Sequence, residues 1–408
     1  MKTAWVVIVS AFALAMGFFF NIGWAASPTS ATPERLVVHE WGTFTSFSGA
    51  DGVPVPFTPN YTDLPRFVYD ASSYHEELTK GGYMQLGGTV SMETPVIYFY
   101  ADKEMKAAVK VDFPKGWITE WYPAASLQGV ANSRRGRQRL PDAMGESIRW
   151  DVRLLPNQSV VFPGEKDENH YYQARETDSV PVEVQTRLPK GEGDDVVRGG
   201  TILQREKFLF YRGVGTFTPP VTVQALGGGK VRIKNGTGGT VASLVLVSVH
   251  EGKVGFRKLD SMGKGAEAQA TLPEANGSPS DLAALMAKEL SATGLYEKEA
   301  QAMVKTWEKA WFSEEGTRLL SIVPRSRTDE LLPLAIEPKP TEMVRALVGR
   351  HDFLTPEQEA AADRLVKRQR AAQAELDAAQ AEIQKIGRFA PQARTMAEKR
   401  LEPAQARR

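Results

Sequence analysis

The chain of 408 residues contains no cysteine. That excludes a disulfide framework, a zinc-thiolate site, an iron–sulfur cluster, a thiol nucleophile and a lipid anchor on an N-terminal cysteine. Net charge is almost absent as well: 50 Lys and Arg stand against 49 Asp and Glu. So balanced a surface argues against a protein that coats nucleic acid or an anionic membrane, and no specific nucleic acid is expected as partner. Histidine is scarce, with five in all. The GxSxG elbow, HExxH, the P-loop GxxxxGKS/T and the calcium loop DxDxDG are missing too, so the common hydrolase and nucleotide signatures give no lead.

Only one long apolar run is present. Residues 4–22 are nearly all apolar after Met1-Lys2, and Gly23-Trp24-Ala25 offers a small-x-small cleavage site. Residues 1–25 read as a secretory signal peptide, with Ala26 as the new N-terminus and a polar Pro/Ser/Thr stretch behind it. The alternative is an uncleaved anchor, because the run is almost long enough to span a bilayer. Membrane contact is expected through this segment alone. Either way the rest of the chain is expected to be exported, to the periplasm or the cell exterior.

The chain from residue 34 onward predicts a mainly β protein with a helical C-terminal part: antiparallel β-sandwich domains, a helical hairpin and a long C-terminal helix. In 105–113, Met105, Ala107, Val109, Val111 and Phe113 alternate with Lys106, Ala108, Lys110 and Asp112. Period two marks a strand with one buried face. The run PVIYFY (95–100) before it completes a hairpin. Ile148, Trp150, Val152 and Leu154 alternate in the same way with Arg149, Asp151 and Arg153. A large β-rich domain is expected over 34–215. The Gly-rich turns 227–229 and 235–239 punctuate a second set of short strands, read as one immunoglobulin-like module over 219–275.

The pattern changes near residue 278. Ser278-Pro279-Ser280-Asp281 is a helix start, followed by Leu282, Leu285, Met286 and Leu290 on one face up to Gly294. Ala300, Met303, Val304, Trp307, Ala310 and Trp311 form the stripe of a second helix that stops at Gly316. Short strands at 317–323 and 343–349 complete a region spanning 278–350. Thr355-Pro356-Glu357-Gln358 is a capping box that opens a long helix over 355–390, ahead of a tail at 391–408. Leu365, Gln369, Ala372, Leu376, Ala379, Ile383, Ile386 and Ala390 make a seam of about three heptads, the lower limit for a coiled coil. Its Ala and Gln content favours a helix lying on its own domain, with weak coiled-coil self-association as the alternative.

Candidate chemistry clusters in a few runs. His39-Glu40-Trp41 offers acid, base or ligand groups beside an apolar wall, although neighbours on a strand point to opposite faces and cannot share one metal. Glu93 precedes the buried run PVIYFY, and Glu120 stands beside Trp121 and Tyr122, with Trp117 near. Paired carboxylates beside aromatic rings are what cleavage or binding of a sugar needs. His170 and Arg175 flank Tyr171 and Tyr172, and Arg212 follows Tyr211. These arginines are candidates to grip a carboxylate or phosphate, with internal salt bridges as the blander reading. Arg134–Arg139 is a basic cluster in a loop. No metal ligand set and no cofactor is assigned.

The runs VVHEWGTFTSFSGADG (37–52), METPVIYFY (92–100), ITEWYP (118–123), KFLFYRGVG (207–215) and AMVKTWEKAWF (302–312) with the later TRLL and LPL resemble exported bacterial proteins known only as uncharacterised. The resemblance covers most of the chain between the signal segment and the last helix. It implies the same multi-part exported architecture and transfers no activity, substrate or cofactor.

Two functions are therefore expected. The first is an exported binding or structural protein whose ligand is an envelope polymer, a protein or a small molecule. The second is an exported hydrolase of a glycan or other envelope polymer, with His39, Glu40, Glu93 and Glu120 as catalytic candidates. Trp41, Trp121, His170, Arg175 and Arg212 are its substrate-binding candidates. Convergence separates the two: His39, Glu93 and at least one of Glu120, His170, Arg175 or Arg212 lining a single pocket favours the hydrolase, and scatter over separate faces removes it.

Overall fold

The computed structural model describes residues 35–57, 63–70, 88–128, 145–187, 201–367 and 373–401. The expected signal peptide, the basic cluster Arg134–Arg139, the seam residues Gln369 and Ala372 and the end of the tail lie outside the described residues. Residues from Arg35 onward form one unit. It is mainly β, with several antiparallel sheets and helices toward the C-terminus.

Strands are numbered along the chain. The largest sheet has nine: β14 (Lys253–Leu259), β13 (Leu244–His250), β16 (Gly316–Ile322), β18 (Glu342–Phe353), β1 (Leu36–Ser48), β3 (Val90–Ala101), β10 (Leu209–Gly215), β5 (Gly116–Tyr122) and β2 (Tyr69–Asp70), in that spatial order. Strands β1 and β18 pair in parallel at its centre. A six-stranded sheet holds β17 (Leu334–Glu337), β4 (Met105–Phe113), β7 (Glu146–Leu154), β8 (Val182–Arg187) and β9 (Thr201–Glu206), with β6 (Ser126–Gln128) against β7. The third sheet contains β11 (Val221–Gly227), β12 (Lys230–Asn235) and β15 (Glu267–Thr271).

Each face of the large sheet has its own cover. Ile97, Phe99, Trp121 and Tyr211 meet Val109, Val111, Trp150 and Val152 of the six-stranded sheet in one core. That is where the period-two alternation of β4 and β7 goes: their apolar positions turn inward and their charged ones, apart from buried Glu146, turn outward. On the opposite face, Trp41, Tyr98, Phe210 and Val348 pack beneath the helical pair α1 (Pro279–Ser291) and α2 (Glu297–Glu308). Leu282, Met286 and Leu290 of α1 and Met303 and Trp307 of α2 supply the helical side, as their spacing predicts. Strand β1 is buried over its whole length because it lies mid-sheet with cover on both faces.

Three expectations are met differently. The hairpin of 95–100 with 105–113 does not form: β3 pairs with β1 and β10 in the nine-stranded sheet, while β4 pairs with β7 and β17 in the six-stranded one, so the short link between them crosses from one layer to the other. The 219–275 stretch is divided: β11, β12 and β15 form the small sheet, whereas β13 and β14 extend the nine-stranded one. The reason lies in the apolar run of β13. Val245, Val247 and Val249 face the helices while Leu244 and Leu246 face the small sheet, so this strand needs cover on both sides. The single helix over 355–390 is broken into α4 (Pro356–Lys367, after the short helix α3, Arg325–Leu331) and α5 (Gln373–Gln384), which pack on each other. Gly387 takes a left-handed φ of 64° before α6 (Ala390–Leu401). The seam residues Ala379, Ile383 and Ile386 close a core with Phe47, Phe57 and Phe389. The expected capping box is present: Thr355 N–H donates to Gln358 Oε1 at 2.8 Å, and Gln358 N–H to Thr355 Oγ1 at 3.3 Å.

Candidate active site

The site starts from a run of register shifts on the helix-covered face of the large sheet. Trp41 faces Val96 and Thr43 faces Glu93, so Gly42 alone stands opposite Thr94 and Pro95. Next door, Tyr211 and Arg212 of β10 face the three residues Glu93–Pro95. One strand further, Arg212 pairs with Glu120 and Gly213 with Ile118, leaving Thr119 extra. Bulges bend a strand and re-aim its side chains, and they concentrate beside active sites. Thr94 shows the strain: it is a β-branched residue at φ +46°, with its buried hydroxyl unpartnered.

The displaced side chains Glu93, Thr119, Glu120 and Arg212 line one cavity of about 610 Å³. Asp63 enters from the segment before β2, and His170 from the short helix His170–Arg175. The roof comes from Thr306 and Trp307 at the end of α2 and from the π-turn Lys309–Ser313 with Glu314 behind it. Arg388, Phe389 and Gln392 of the C-terminal helices close the side.

Charges in this cavity are paired in a definite pattern. Arg212 donates to Asp63 with both terminal nitrogens, at 2.7 and 3.1 Å. Burial would raise the Asp63 carboxyl, but the Arg212 charge and hydrogen bonds outweigh it and hold it below its usual value. Arg388 donates to Glu93 Oε1 at 3.3 Å and contacts Glu314 at 3.1 Å. Behind Glu314 the alternation continues through Arg350 and Asp352 to the fully buried Arg318.

Glu120 is the exception. Burial pushes its carboxyl up to about 7, against the opposing pull of Arg212 and a hydrogen bond from the Thr119 hydroxyl. His170 moves the other way: burial and the Arg212 charge depress it to about 4, with Asp63 opposing. Its Nε2 lies 3.9 Å from Asp63 Oδ2 and makes no hydrogen bond. At neutral pH the cavity therefore holds a carboxyl near half-protonation beside a neutral imidazole, groups suited to giving and taking protons.

Four of the nine sequence candidates meet here: Glu93, Glu120, His170 and Arg212. The others do not line the cavity. His39 is fully buried under α2, its Nδ1 2.7 Å from Glu299 Oε2, where Tyr100 OH also donates to the same carboxylate at 2.8 Å. Glu40 points to the opposite face, as strand geometry requires, and is clasped by Arg345 and Tyr211, each at 2.5 Å. Trp41 lies in the helix-side core and Trp121 in the inter-sheet core, so neither walls the cavity. Arg175 forks onto buried Glu206 at 2.6 and 2.9 Å rather than onto a ligand or onto its neighbours Glu176 and Asp178.

Asp63, Trp307, Glu314 and Arg388 were not singled out by sequence reasoning. Trp307 reads as part of a helix stripe and Arg388 as one charge near the end of the expected helix over 355–390, while Asp63 sits in a segment without periodicity. Among the described residues, no three His, Asp or Glu side chains are grouped to hold a metal ion.

No family model and no curated protein matches this sequence. Among solved structures, the mu-homology domain of yeast delta-COP-I in complex with a WxWxV peptide aligns over 78% of this chain and 96% of that one. At 4% identity and a TM-score of 0.22, that likeness assigns no fold.

Proposed function

We propose that the cavity is the active site of an exported hydrolase working by general acid–base catalysis. The observation that carries this reading is a convergence that leaves out His39: Glu93, Glu120, His170 and Arg212, from four separate segments, line one cavity. In the proposed reaction Glu120 gives its proton to the leaving atom of the scissile bond. Water adds to the other side of that bond and passes a proton to Glu93. Arg388 holds Glu93 in place, and Arg212 is locked by Asp63, so neither group needs to reorganise during the reaction. Export belongs to the same proposal and draws on residues 1–25; a mature N-terminus at Ala26, read by mass spectrometry, is the expected result.

A second reading is a binding protein using the same cavity, favoured by the closed ion pairs, which leave a pre-formed polar pocket. Glu120→Gln separates the two. The purified chain is tested on para-nitrophenyl esters, glycosides and phosphates. Hydrolysis of one class, reduced about 100-fold or more by Glu120→Gln, is expected. Unchanged hydrolysis in that variant would overturn the acid–base mechanism at this cavity, and no hydrolysis by the parent chain would overturn the hydrolase reading and leave the binder.

A further inference from the structure

We infer that the ligand of this cavity is an uncharged saccharide; its cleavage at a glycosidic bond rests on the hydrolase reading above. Three observations select it.

The first is how little charge is left to spend. Both terminal nitrogens of Arg212 are engaged by Asp63, and Arg388 is shared between Glu93 and Glu314. An open guanidinium fork is the best grip for a phosphate or carboxylate substrate. Lys309, exposed at the rim, is the one lining cation without an ion pair among the described residues.

The second is the kind of surface these pairs create. A guanidinium beside a carboxylate presents N–H donors and oxygen lone pairs alternately, and a sugar hydroxyl both donates and accepts. Thr119 and Ser91 add hydroxyls to the same wall.

The third is Trp307. It lines the cavity, is 4% exposed, and its Nε1–H is buried without an acceptor. A buried donor left unpaired calls for an acceptor, which a ligand oxygen supplies. Together with Phe57 and Phe389 it gives the apolar surface on which the C–H face of a sugar ring packs. The cavity, at about 610 Å³, falls within the range of small-ligand sites (about 300–1,000 Å³).

The bond changes balance with water alone. The Glu120 proton goes to the glycosidic oxygen and the bond from the anomeric carbon to that oxygen breaks, its electron pair staying on the oxygen. Water oxygen bonds to the anomeric carbon, and its proton goes to Glu93.

The test uses the full chain carrying Glu120→Gln, so that ligand persists. The probes are neutral tetrasaccharides of glucose and of N-acetylglucosamine in α and β linkage, with inorganic phosphate and oligogalacturonate as charged comparators. Binding is followed by calorimetry. At least one neutral probe is expected to bind with a dissociation constant below ~10 mM. Adding Lys309→Ala should change that constant less than about threefold, since the rim charge is not used. Failure of every neutral probe, or a larger loss with Lys309→Ala, overturns the inference. The two readings fail separately. Saccharide binding without release of reducing ends by the parent chain would sink catalysis and keep the ligand class. Turnover of a phosphate or ester without saccharide binding would do the reverse.

Discussion

Gly42 and Pro95 face each other across β1 and β3 with no room for a side chain: a Cβ on Gly42 would lie 2.8 Å from Pro95 Cα. The obstacle is backbone, which cannot swing aside as a side-chain tip can. Gly42→Ala is expected to cost about 1–3 kcal/mol and to weaken activity by shifting the bulge that aims Glu93. Urea unfolding measures the first effect. A variant as stable as the parent would show that the bulge is not set by this contact.

The pH dependence of stability contains two opposing pairs. Burial raises the carboxyls of Glu120 and Glu146 from 4.5 to about 7. Burial lowers the imidazoles of His170 and His351 from 6.5 to about 4. A carboxyl that keeps its proton on folding stabilises at low pH, and that contribution fades as pH climbs from 4.5 through 7. An imidazole kept neutral does the opposite, gaining between 4 and 6.5. Two against two leaves these four groups nearly level across their shared window. Glu146→Gln keeps an acceptor for the Ile118 N–H, which Glu146 Oε2 receives at 2.9 Å, and removes one of the falling pair. Its stability should then rise by about 1.4 kcal/mol per pH unit between pH 4.5 and 6.5. Unfolding curves across that window that parallel those of the parent would refute the balance.

Activity should follow Glu120. A general acid must hold its proton, so kcat/KM is expected to fall as pH rises through about 7. The Thr119 hydroxyl pulls this carboxyl down, and Thr119→Val should therefore move the falling limb to higher pH. A limb that stays in place, or moves lower, would assign it to another group.

Arg388 tests the C-terminal wall. Its half-buried guanidinium joins Glu93 to Glu314 from a turn that belongs to the last helices. Arg388→Gln is expected to reduce kcat by about 100-fold, because Glu93 loses the group that orients it. Arg388→Lys should recover part of the rate. Equal rates in all three proteins would detach the C-terminal helices from the chemistry.

Arg175 supplies the contrast. It is bound to Glu206, whose carboxyl is fully buried and also receives the Tyr171 hydroxyl at 3.1 Å. Arg175→Met strands that carboxylate and should destabilise by about 3–5 kcal/mol, while ligand affinity per folded molecule stays unchanged. Denaturation and calorimetry on the same preparation separate the two effects.

How much of the fold and the site is legible in the sequence depends on periodicity. Strands β4 and β7 face one core each, so their alternation is plain, and the stripes of α1 and α2 are equally clear. Strand β13 is covered on both faces, which erases the alternation that would show where it belongs. The site behaves likewise. Glu93, Glu120 and Arg212 stand out as charges inside apolar runs, and such a charge must be paired or put to use. Asp63 and Arg388 come from segments without a pattern, and only the fold brings them to the cavity. Trp41 and Trp121 look like walls of a site for the same reason that they fill the cores: they are large, flat and apolar.

The parallel pairing of β1 with β18 ties residue 37 to residue 342 and residue 48 to residue 353. While the polypeptide is being synthesised, β1 can bond to β3 but has nothing on its other side until most of the chain has left the ribosome. Closure of the main sheet is thus postponed to late in translation, and a fragment truncated ahead of Glu342 would carry an open, apolar edge in the middle of the structure. Contacts spanning so much sequence form slowly and keep sticky surface uncovered meanwhile, so nascent or clipped forms of this protein would be the ones that aggregate.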